Sequence, residues 1–462
     1  MNSLKIITKL VLAFLFAASV YPQKEAPPAG GKPKNFELPK KTEFILDNGM
    51  HVTKVHFGNV PKVSINLVIR VGNLNESENE VWLSDITGEL LTEGTKNLSS
   101  KQIAQKSADM GGSINVSTDL DETNIEGNVL SDFAPDLISL ISDVVMNPTF
   151  NDDAVNRVKR DYLRNLSIDK SQSQRIASEI FRKALYPDHP YGRVFPTEEM
   201  INNYTRKIIS DFYNSNYGAQ RAHIYICGNF DDSKVDEAVK KSFSGWEKGP
   251  DILINIPRPA SKKELLFKDR PGAKQSTIYL GLPVIDPSNP DFIKLSLMNT
   301  LLGGFFSSRV TRNIREDKGY TYSPRSMIST MYRSAFYVQT ADVTTDVTAP
   351  ALKEIFKEID SLKKVPPSKE ELDGVKNYIA GIFVLRNSSP GAIISQLSYI
   401  DLHGLGEDYL NTYVQKIYDV TPEEISEMAK EYLNNDKMTL VVVGDKKIEK
   451  TLYPFGKVVL KD

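Results

Sequence analysis

A strand, a glycine turn and a helix occur twice in this chain, as AHIYICGNFDDSKVDEAV from Ala222 and as MTLVVVGDKKIEKTL from Met438. A matching helix precedes each copy, TRKIISDFYNSNY from Thr205 and PEEISEMAKEYLNN from Pro422. Further upstream, FAPDLISLISDVVMNPTFNDDAVNRVKRDYLRNL from Phe133 pairs with APALKEIFKEIDSLKKVPPSKEELDGVKNYIAGIF from Ala349. A period of about two hundred residues is too long for a solenoid unit. It describes two copies of one domain, and 462 residues suffice for two cores. The expected fold is α+β, with residues 42–255 and 265–462 as the halves and the charged, Pro-containing stretch 256–264 between them.

Within the first half, FILDNGMHVTKVHF reads as a hairpin around Asp47-Asn48-Gly49. Val63–Val71 alternates apolar and polar residues, as a half-buried strand does. GGSINVSTDLDETNIEGNV reads as a second antiparallel pair, and helical periods cover 80–91, 100–110, 132–145, 152–168, 175–185, 197–215 and 232–243. In the second half, STIYLGLPV reads as a strand, and 291–302 and 308–318 as the first helices.

The first residues read as an address. Lys5 and Lys9 precede the apolar run Leu10–Ala18, which is too short to span a bilayer, and Ala17-Ala18-Ser19 supplies small residues for cleavage. Residues 1–21 are therefore expected to be a signal peptide and 22–41 a Pro/Gly/Lys-rich linker. No other stretch has the ~20 apolar residues of a spanning helix. The one cysteine, Cys227, forbids an intrachain disulfide and sits in a strand-like setting. An exported chain without disulfides fits a bacterial periplasm. A net charge of −2 offers no basic face for nucleic acid.

The stretch MNTLLGGFFSSRVTRNIREDKGYTYSPR, residues 298–325, carries the chemistry. Gly303-Gly304 permits a sharp turn or close approach of a ligand, and Ser307 and Ser308 offer N-cap hydroxyls to the next helix. Gly319 suits a left-handed helix terminator, and Tyr320-Thr321-Tyr322 reads as the start of a strand. An Arg fork and a phenol, Arg315 and Tyr322, would then donate hydrogen bonds to a carbonyl or oxyanion. The plainer reading pairs Arg315 with a carboxylate and packs Tyr322 in the core.

Leu301-Leu302-Gly303-Gly304-Phe305, Ser307-Ser308-Arg309, Arg315-Glu316 and Gly319-Tyr320-Thr321-Tyr322 together resemble the glycine-rich loop and Arg/Tyr pair of the insulinase-like (pitrilysin-type) peptidases. The resemblance implies two homologous domains enclosing a chamber, with the loop binding peptide and Arg315 and Tyr322 holding the substrate carbonyl. It also implies a zinc site in the N-terminal half, His-x-x-Glu-His shortly before Gly-Thr, in which two His share a helix face and the Glu is the base. Anchored on Gly94-Thr95, the His positions here hold Asp85 and Glu89, the base position Gly88, and the third ligand position Asn165. None of the five histidines has another four or five residues away on a helix, and His189 in HPYGR reads as structural. Asp85, Glu89 and Glu93, spaced i, i+4, i+8, form a carboxylate stripe that either holds a hard cation or is simply solvated.

The chain thus resembles the zinc-free subunit of the family's two-chain members. That resemblance implies no zinc in this chain, a zinc-bearing partner subunit, and an extended peptide as substrate. A scaffold of the same fold, a peptide-binding or chaperone protein, and a peptidase with an atypical metal set are the alternatives.

Overall fold

A computed structural model describes residues 36–461. The expected signal peptide and most of the linker lie outside the described residues. Residues 36–461 lie within one compact unit.

Each half is built on a six-stranded mixed sheet. The first comprises β1 (Lys41–Ile45), β2 (His51–His56), β3 (Lys62–Ile69), β4 (Ser113–Thr118), β5 (Thr123–Leu130) and β6 (Ala222–Gly228), in the order β1-β2-β6-β3-β5-β4. The second comprises β7 (Glu264–Asp269), β8 (Gln275–Val284), β9 (Arg325–Met331), β10 (Ser334–Thr344), β11 (Thr439–Gly444) and β12 (Val458–Lys461), in the order β12-β7-β11-β8-β10-β9. Five positions of the two sheets correspond, which is the repeat seen in the residues.

The sixth breaks it. β1 is the antiparallel first arm of the hairpin whose turn places Gly49 at φ 90°. The second half has no preceding hairpin, so the chain's last strand, β12, fills the same edge and runs parallel to β7. Between Phe243 and Glu264 the chain forms neither helix nor strand, so the connection is longer than 256–264.

β3 departs from the expected alternation, because it is buried on both faces. The reason is an exchange of helices. Helix Pro390–His403 of the second half lays Ile393, Ile394, Leu397 and Ile400 against Val55, Val68, Tyr225 and Cys227 of the first sheet. Reciprocally, helix Ser173–Leu185 of the first half sets Ala177, Phe181 and Leu185 against Leu266, Phe336, Val441 and Val443 of the second. Each sheet is covered by its own helices on one face and by a helix from the other half on the opposite face.

The HPYGR segment ties this exchange down. His189 accepts from the Tyr191 backbone N–H at 3.2 Å and its other nitrogen meets the Asn255 carbonyl at 3.1 Å, so its ring is spent on structure. Asp121 accepts from the Tyr191 hydroxyl at 2.5 Å and from the Tyr332 N–H at 3.1 Å, linking a turn of the first sheet to the β9–β10 turn.

Candidate functional site

The former metal position lies on helix Leu83–Leu90, which enters from Trp82 at φ 68°. A left-handed tryptophan is uncommon and persists only where packing holds it. Here its ring meets Tyr162 and Phe195 edge-on, at 5.8 and 6.2 Å between centroids. Asp85 is partly buried and accepts from Asn73 Nδ2 at 2.6 Å. Beside it lies Glu76, which the sequence reading did not single out. This carboxylate is buried and accepts from the Ser84 N–H at 2.9 Å, the Ser84 hydroxyl at 2.6 Å and Asn73 Nδ2 at 3.1 Å. Burial, reinforced by the neighbouring Asp85 charge, raises Glu76 to about 8, and burial raises Asp85 to about 6. Only its place in a loop before the helix could have drawn attention to Glu76.

The stripe of three carboxylates does not form. The α-helix ends at Leu90 and a 3-10 turn carries Leu91–Glu93, so the three carboxylates do not share one α-helical face, and Glu93 acts on Glu89 only as a neighbouring charge. Glu93 pairs with Arg157, and Glu89, raised by burial, accepts from the Tyr162 hydroxyl. Tyr162, not Asn165, is thus the residue that helix Asp152–Ser171 brings to Glu89, and Asn165 is exposed.

Gly88 offers no base, and the space is closed as well: a Cβ there would come within 2.4 Å of Thr118 Oγ1 from β4. Zinc does not fit these residues. Two oxygens are already committed to Asn73 and Tyr162, the third ligand is absent, and no imidazole or base is present. Among the described residues no group of three or more His, Cys, Asp or Glu side chains is arranged to hold a metal ion.

The glycine loop of the second half is intact but built otherwise than expected. Helix Phe292–Asn299 widens into a π-helical turn over Thr300–Gly304, and a second π-helical turn covers Arg312–Asp317. Such wide turns are rare and mostly short interruptions of α-helices. Gly303 is buried and faces inward: a Cβ would meet Gln339 Oε1 and Ser326 Oγ, both at 2.6 Å. Its glycine is demanded by the core and not by a ligand. Ser308 does occupy the N-cap position, but its hydroxyl bonds Thr311 Oγ1 at 2.9 Å instead of a backbone N–H. Ser307 and Phe305 line a cavity of ≈ 920 Å³ with Arg309, which forms a two-pronged pair with Glu371 at 2.7 Å.

Arg315 and Tyr322 come from either side of the turn at Gly319, which has φ 64°. The Arg315 guanidinium lies 4.4 Å from the centre of the Phe306 ring and its Nε is 3.1 Å from Glu316. Tyr322 is 88% exposed, so a core role is excluded. The strand expected at Tyr320 begins only at Arg325, because Pro324 has no N–H for the ladder. Thr321 still makes a single bridge to Val343, with its hydroxyl on the Asp342 carbonyl at 2.7 Å. Phe306, 62% exposed, and Tyr322 are therefore presented to solvent, with Arg315 half-buried against Phe306 and Glu316.

Residues 53–195 match the family described as insulinase (peptidase family M16), and residues 203–379 the peptidase M16 inactive domain. The chain belongs to the insulinase family. Among curated relatives, the uncharacterized zinc protease YmxG of Bacillus subtilis is 22% identical over 395 residues, covering 85% of this chain and 96% of its own. The non-peptidase homolog YmxG of Helicobacter pylori is 24% identical over 401 residues, covering 85% of this chain and 91% of its own. The peptidase M16 inactive domain from Pseudomonas fluorescens superposes with a TM-score of 0.81 at 25% identity, over 88% of this chain and 98% of that one. A protease from H. pylori gives 0.82 at 21% identity, over 88% of this chain and 100% of that one. With its metal position dismantled, this is a non-catalytic M16 member.

Proposed function

We propose that this chain is the zinc-free subunit of an exported, periplasmic two-chain peptidase. It contributes the glycine loop, Arg315 and Tyr322 to an extended peptide held against a zinc-bearing partner of the same fold. The observation that carries this reading is the contrast between the halves. At the former metal position Tyr162 engages Glu89 and Thr118 closes on Gly88, whereas Tyr322 stands in solvent on the second half's loop and Arg315 lies over Phe306, paired with Glu316. A phenol and a guanidinium can stabilise an oxyanion but do not activate water. Hydrolysis therefore needs a second chain to supply the metal and complete the chamber. Lys5, Lys9 and the run Leu10–Ala18 support export.

The test is recovery of tagged mature chain from its native periplasm, followed by peptide cleavage with the recovered partner. A complex with one zinc, borne by the partner, is expected. Tyr322→Phe in that complex should lower kcat by roughly 10²–10³-fold with assembly unchanged. Parent-rate cleavage by the assembled variant would remove the catalytic role. Recovery of the chain without a zinc-bearing homologue would favour a peptide-binding protein that works alone.

A further inference from the structure

A second cavity, of ≈ 450 Å³, opens beside Gly304 between helices Lys369–Arg386, Pro390–His403 and Asp408–Asp419. Its wall is aromatic. Tyr378, Phe383 and Tyr413 line it, and the Phe383 and Tyr413 rings stand 4.4 Å apart. Arg325, the first residue of β9, and Arg386, the last of its helix, line it too, and no carboxylate does. Both arginines are exposed, and neither side chain has an ion-pair or hydrogen-bond partner among the described residues. Arg309 and Arg315 nearby are matched by Glu371 and Glu316.

Two unmatched guanidinium groups raise the local potential and offer forked donors to a carboxylate. Aromatic walls accept a flat or branched apolar side chain. We propose that this cavity receives an acidic residue next to a bulky apolar one, such as Glu-Phe or Asp-Leu, within an extended peptide. The cavity shares Gly304 with the loop, so it reads the side chains of a peptide lying along that loop. This rests on the reading of the loop as a peptide-holding surface, and names the class of peptide it holds.

The mature chain alone, without partner, is titrated into fluorescent peptides blocked at both ends, and anisotropy is read at low and high salt. The Glu-Phe peptide should bind, more weakly as salt rises. Its Lys-Phe and Glu-Ala counterparts should bind about tenfold more weakly or not at all. Arg325→Gln and Arg386→Gln should each cost roughly threefold and together about tenfold, as expected for exposed charge pairs. Both sites are exposed, so unchanged far-UV dichroism is expected of these variants. Equal binding of the Lys-Phe peptide, or an unaffected double variant, would overturn the proposal. So would binding confined to a peptide with a free C-terminal carboxylate. Cleavage by the reconstituted complex without this preference would sink the cavity's role and spare the subunit reading. Preferential binding by a chain that never joins a zinc-bearing partner would do the reverse.

Discussion

Glu76 and Asp85 hold protons in the folded chain that they would release in the unfolded one. Glu76 moves from 4.5 to about 8 and Asp85 from 3.8 to about 6, each chiefly through burial. Between these values the folded state binds more protons, so stability falls as pH rises. Their contribution is complete below about pH 4 and is lost as pH climbs through about 6 for Asp85 and about 8 for Glu76. Above about pH 7, where the buried His223 and His403 are neutral in the folded and unfolded chain alike, stability should accordingly fall toward pH 8, by at most about 1.4 kcal/mol per pH unit for the Glu76 proton. Glu76→Gln keeps the shape and a neutral acceptor, and should remove one proton's share of that slope; an unchanged slope in calorimetry would contradict the assignment. Glu76 is also the instructive miss of the sequence reading. The motif positions Asp85, Gly88 and Glu89 are visible by alignment on Gly94-Thr95, but a partner from a preceding loop is visible only once the chain is folded.

At the scale of the element, the loop from Thr300 to Ser308 shows how one glycine can be read for the wrong reason. The pair Gly303-Gly304 suggests a ligand path, yet Gly303 is packed against Ser326 and Gln339 of β9 and β10. Gly304 is looser, since a Cβ would meet Asn299 Nδ2 at 3.1 Å. Gly303→Ala should therefore destabilise the chain by about 1–3 kcal/mol through overpacking. Chemical denaturation would measure it, and a loss of peptide binding with stability unchanged would point back to a ligand-facing role. The π-helical turns on either side of the loop were not foreseeable. A 3.6-residue period predicts helix over 291–302 and 308–318 but does not distinguish an α-turn from the wider turns that carry buried Leu301, Leu302 and Ile314.

For the whole molecule, the exchanged helices make the two halves one cooperative object. Phe181 belongs to the first half in sequence but is buried, 1% exposed, against Tyr279 and Phe336 of the second. Phe181→Ala should cost about 3–5 kcal/mol and lower one shared unfolding transition. Two separate calorimetric transitions in the parent chain would contradict this coupling. The repeat, the α+β class, the hairpin at Asn48-Gly49, most helix spans and the loss of the zinc ligands were all legible in the residues. The repeat, the hairpin and the helix spans rest on local periodicity or on matching residue types along the chain, which need no third dimension; the fold and the zinc positions were read through the resemblance to the insulinase-like peptidases as well. Tertiary structure alone decided the rest. It buried β3 on both faces, because the covering helix comes from more than three hundred residues away. It set β12 at the edge that β1 occupies in the other half, brought Tyr162 to Glu89 and set Thr118 against Gly88. It also left Tyr322 in solvent where a core tyrosine was as plausible a reading, because burial depends on what the rest of the chain brings to a residue.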